Sequence, residues 1–132
     1  MARFYRLDEA NDRLTELRPL LEKLRADRQE VARLQQQIVK ARGTNGSAEH
    51  AEVMAALETE MRGIVRRMEQ SVRLIDDWGI ALRDILTGLV DFPALASGRP
   101  IWLCWRLGEG DIGWWHEQDR GFDDRRRLTE LE

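Results

Sequence analysis

The chain has 132 residues, about a third of them charged, and a net charge of −3. That length fits one domain, and the slight acidity argues against strong non-specific binding to nucleic acid. With one cysteine, Cys104, no internal disulfide can form, and no apolar run approaches the length needed to cross a bilayer. The first residues, Met1 to Leu7, lack the apolar stretch of a secretory signal, so the expected location is the cytoplasm.

Helix patterning begins early. From Leu14 the apolar residues step by three and four: Leu14, Leu17, Leu21, Leu24, Val31 and Ile38, with Arg28 and Gln35 at the two remaining seam positions. Such a heptad pattern is what a helix shows when it packs along another helix. The expected start is near Asp8, which would cap the helix, and Pro19 predicts a kink or break near Leu17. Residues 43–47, Gly-Thr-Asn-Gly-Ser, read as a turn, with Ser47 as the next helix cap. The Asn45-Gly46-Ser47 glycosylation pattern within them reads as coincidence in a polar loop.

A second run follows with the same spacing: Met54, Leu57, Met61, Ile64, Met68, Ser71, Ile75 and Trp78, widened by Val53, Val65 and Val72. Two such runs joined by a short turn predict an antiparallel helical hairpin over residues 8–78. Because a two-helix rod exposes the flanks of its seam, the widened stripe predicts a second chain or a sheet against it.

After Gly79 the chain turns β-like, in short segments at residues 80–85, 89–92, 101–107 and 112–117, separated by Gly- and Pro-containing loops at 87–88, 93–100 and 108–111. The fold class is therefore α+β, a long hairpin followed by a small Trp-rich antiparallel sheet at 80–118 and an irregular tail at 119–132. A helical turn is expected at 128–131, and Phe4 and Tyr5 suit an edge strand or a cover over the helix start. A four-residue loop at 108–111 sets Trp105 opposite Trp114 and Cys104 opposite Trp115, which puts Cys104 and His116 on opposite faces; a loop one residue longer or shorter would put them on the same face.

The pieces Leu7-Asp-Glu-Ala-Asn11, Gly88-Leu-Val-Asp-Phe-Pro93, Leu103-Cys-Trp-Arg-Leu-Gly-Glu109, Trp115-His116 and Gly121-Phe122 occur in this order. In them the chain resembles the bacterial family catalogued as domain of unknown function 2203. The resemblance implies a hairpin followed by a small sheet, and it implies no activity. It also implies Thr or Ser where this chain has Arg6, so the usual capping box must give way to a cap from Asp8 or to none.

Three functional readings follow. The first is a self-association or protein-interaction module, favouring a homodimer, built on hairpin positions Leu21, Leu24, Leu57, Met61, Ile64 and Met68. The second is a ligand site, or an enzyme site, of Asp91, Arg106, His116 and Glu117 on the sheet. Asp91 sits in an apolar strand and so needs a partner such as Arg106 or Arg99. No cofactor is expected, and a divalent metal would draw on Cys104, His116, Asp91 and Glu109. The third is nucleic-acid or ribosome association through Arg62, Arg66, Arg67 and Arg73, which the net charge disfavours. Gly108-Glu-Gly-Asp-Ile-Gly113 matches GxGxxG but lacks the following helix that would meet a pyrophosphate. Arg125-Arg126-Arg127, partly cancelled by Asp123 and Asp124, reads as a solvated tail or as an arginine pairing back to the sheet.

Overall fold

A computed structural model describes residues 3–43 and 48–131. Helix α1 (Leu7–Arg42) and helix α2 (Ala48–Asp77) pack antiparallel, and a five-stranded antiparallel sheet follows. Its strands are β1 (Ala81–Asp84), β2 (Leu89–Ala96), β3 (Arg99–Arg106), β4 (Trp114–Glu117) and β5 (Arg126–Arg127), in that spatial order. The expected turn and Ser47 cap lie at 44–47, outside the described residues. Among the described residues no helix is long and apolar enough to cross a membrane.

Helix α1 starts one residue before Asp8, on Arg6 as N-cap. The cap comes from Glu9, whose carboxylate accepts the Arg6 backbone N–H at 3.0 Å. The reciprocal half of a capping box is missing, because a guanidinium has no acceptor to offer. The helix runs without a break through Pro19. Leu17, Leu21 and Leu24, all fully buried, hold it across the hydrogen bond that proline cannot make.

The seam of α1 departs from the strict heptad. Arg28 and Gln35 are exposed, while Asp27 and Leu34 are buried in their place. The face turns because its partner changes. Leu14 to Leu24 join one core with Ile75 and the sheet; beyond them, Val31 and Leu34 pack only against Ile64, Leu57, Met61 and Met68 of α2. Asp27 is tolerated there because Arg67 of α2 reaches across to it at 2.8 Å.

The sheet lays one face on the helices. Val90, Phe92, Ala94, Ile101, Leu103, Trp105 and Trp115 all join that core. Residues 93–100 do not form the expected loop. Strand β2 continues to Ala96, and Ser97 and Gly98 (φ 51° and 80°) make a two-residue turn into β3. Both positive φ values suit the twist of a hairpin. Pro93 fits inside β2 because β1 pairs only as far as Asp91, so no ladder bond is asked of its nitrogen. Beside it the chain start docks: the Tyr5 N–H donates to the Pro93 carbonyl at 2.7 Å, and its hydroxyl donates to the Trp78 carbonyl at 2.5 Å. The tail is more ordered than expected, with β5 paired to β4 and a 3-10 turn at Leu128–Glu130.

Candidate functional site

The β3–β4 register is shifted by one residue from the expected one. Cys104 pairs with Trp114, Leu103 with Trp115 and Trp102 with His116. The connection runs over residues 107–113 and is not the four-residue loop expected, and contacts with α1 and within the loop accompany the new register. The Ile112 N–H donates to Asn11 Oδ1 at 2.8 Å, the Trp105 indole N–H donates to the Gly110 carbonyl at 2.8 Å, and Ile112 is buried. A one-residue shift moves every side chain to the other face. Trp115 therefore enters the core, while Cys104 and His116 share the outer face of the sheet, correcting the expected separation.

Asp91 pairs with Cys104 across β2 and β3 and lies on that face too. Cys104 is the small residue on the middle strand, and over it Asp91 and His116 reach each other from strands on either side. His116 Nε2 lies 3.0 Å from Asp91 Oδ1, and its Nδ1–H donates to the Glu117 backbone carbonyl at 2.8 Å. The second Asp91 oxygen accepts from Arg83 Nε at 2.9 Å. Asp91, Cys104 and His116 are all buried, and one ligand atom from each lies within 4.8 Å of the others. Burial, and after it the adjacent Asp91 carboxylate, push the Cys104 thiol up to about 12.

Aromatic rings and guanidinium groups cover the cluster. Arg83 stacks over Trp102, Arg125 over both Trp114 and Phe122, and Arg127 over Trp114. Arg125 also donates to Glu109 at 2.6 Å, and its Nη1 is buried with no hydrogen-bond partner among the described residues. The buried Trp105 and Trp115 serve the core, whereas the half-buried Trp102 and Trp114 serve as a roof.

Of the expected ligand set, the fold brings together Asp91 and His116 only. Glu117 pairs with Arg99 at 3.0 Å, and Arg106 lies over the Phe122 ring. Glu109, expected among metal ligands, is occupied by Arg125. Sequence reasoning missed Arg83 as the partner of Asp91. It stands at an irregularity between Leu82 and Asp84, where β1 loses register with β2, and simple alternation does not reveal its direction.

The hairpin carries a second candidate surface. Leu21 and Leu24 are wholly buried inside the chain, and Ile64 nearly so, with Leu57, Met61 and Met68 packed around the distal core. Val39, Val65 and Val72 instead face solvent along one flank. Two shallow clefts of about 680 and 700 Å³ follow that flank, one between Ile38 and Met61, the other between Val31 and Val65. Of the four arginines expected to form a nucleic-acid stripe, Arg67 is engaged by Asp27.

No curated protein and no solved structure matches this chain. A family model does: the chain belongs to the family described as uncharacterized conserved protein (DUF2203), whose model matches residues 3–128.

Proposed function

We propose that the protein is a self-association module in which two copies pack flank to flank, antiparallel, along their α2 helices. The order of side chains on the exposed flank carries this reading: Glu58, Arg62, Val65, Glu69, Arg73. Reversed about a point midway between Val65 and Arg66, the order of charges meets its own complement. Glu58 of one copy faces Arg73 of the other, and Arg62 faces Glu69. A two-fold interface needs such self-complementarity, since each patch contacts its own image. Among the described residues Glu58, Glu69 and Arg73 make no ion pair within the chain, and Arg62 meets only Thr59. Val65 lies beside the two-fold point with Val72 one heptad further along, and the α1 residues Val31 and Val39 lie along the same clefts. A cytoplasmic setting fits a chain whose single cysteine is buried and free.

Sedimentation velocity across a concentration series tests it. The expected wild-type species is a dimer. Glu58→Arg should weaken it at least about tenfold, equivalent to about 1.4 kcal/mol, and adding Arg73→Glu in the same chain should restore it. A monomeric wild type, or a dimer indifferent to both Glu58→Arg and Val65→Asp, refutes the proposal. Both side chains lie on the solvent side of the seam, so the thermal midpoint of the isolated chain should hardly move.

A further inference from the structure

Hairpin association makes no use of Asp91, Cys104 and His116, yet their arrangement has a particular form. Each presents one atom inward, and two of them are anchored from outside. Glu117 holds Nδ1–H of His116, and Arg83 holds Oδ2 of Asp91. Outer hydrogen bonds that fix the ring and the carboxylate are the pattern that orients metal ligands. With Nδ1 protonated, the neutral ring turns the Nε2 lone pair toward Asp91 Oδ1, 3.0 Å away. Two lone pairs at that distance need a cation between them. A proton would serve those two atoms alone; a metal ion would also engage the third, Cys104 Sγ, which lies within the same 4.8 Å limit.

The geometry points to a divalent transition-metal site of the zinc class, bound by His116 Nε2, Asp91 Oδ1 and Cys104 Sγ, with a fourth position for water or another donor. A set of one nitrogen, one oxygen and one sulfur suits zinc or cobalt and not the all-oxygen demands of calcium or magnesium. On binding, the thiol proton leaves to solvent and the sulfur becomes a thiolate. That thiolate supplies an acceptor for Arg125, which lies beside Cys104 and whose buried Nη1 otherwise has none among the described residues. The charges balance as well. Two anionic ligands neutralise the ion, Glu109 neutralises Arg125, and Arg83 reaches toward solvent.

Because the three ligands are buried, loading is best tested during folding. The full chain is refolded with and without one equivalent of Co(II), then examined by absorption and native mass spectrometry. The expected result is one retained ion, a thiolate-to-cobalt charge-transfer band, tetrahedral visible bands and a raised thermal midpoint. Cys104→Ala, a small buried substitution, should abolish the charge-transfer band and weaken binding at least about tenfold, while His116→Gln should weaken it in the same range. A wild type that retains no ion and shows no such band overturns the site, leaving a proton between His116 and Asp91. Binding that Cys104→Ala leaves unchanged also overturns it, since the ion then sits elsewhere.

Discussion

The two faces of the sheet are held by different physics. On the inner face, Val90, Phe92, Leu103, Trp105 and Trp115 exclude water against the helices. Each contributes chiefly in proportion to the area it buries, with Trp105 adding one directed bond from its indole N–H to the Gly110 carbonyl. On the outer face Asp91, His116 and Arg83 form a chain of directed contacts in which every member depends on its neighbour. An apolar face loses stability by degrees, whereas a buried polar network left half-satisfied is worse than no network.

Three tests sharpen or break that contrast. The largest effect is expected on the inner face. Trp105→Ala, which removes a fully buried ring and its bond to the Gly110 carbonyl, should cost about 3–5 kcal/mol in urea unfolding. A loss under about 1 kcal/mol would mean the core can collapse into the space.

The next concerns coupling on the outer face. Arg83→Met should cost about 1–3 kcal/mol by leaving one oxygen of Asp91 unpaired. Combined with His116→Gln, the loss should depart from additivity by about 0.5–3 kcal/mol, because both act on one carboxylate. Strict additivity would show that the outer face also works by area.

The effect that is smallest at neutral pH, since it develops only in alkaline solution, concerns Cys104 in metal-free protein. Its thiol is raised from the usual 9.0 to about 12, so the folded chain keeps a proton that the unfolded chain releases. This contribution is constant below about pH 9 and is lost as pH rises through about 12. Over that window the stability should fall as pH rises, by at most about 1.4 kcal/mol per pH unit for one proton. Cys104→Ala should flatten this part of the stability profile; an identical slope in the variant would assign it to other groups.

The hairpin and most strands were legible because their periodicities differ and each had a face to bury. Ile75 and Leu17 announce a helix as plainly as Val90 and Phe92 announce a strand. What escaped depends on contacts distant in sequence. The exchange of Arg28 and Gln35 for Asp27 and Leu34 reflects where the sheet stops covering α1, and spacing along α1 carries no sign of that. The residues of the outer cluster were recognisable as ligand types, but their convergence turned on a single step of register. That step is tied to Asn11, roughly a hundred residues upstream. Arg83 was hidden for the same reason, since an irregular strand end conceals which way a side chain points.

The ties at the chain start bear on the order of synthesis. Tyr5 bonds to Pro93, and Asn11 bonds to Ile112. As the chain leaves the ribosome, the two helices can close on each other from local contacts alone. The residues around Tyr5 and Leu14 must then wait uncovered until Pro93 and Ile112 have emerged to receive them. The N-terminal turn of α1 is made before the sheet that finishes it, so the nascent hairpin exposes its sheet-facing end until the strands have followed.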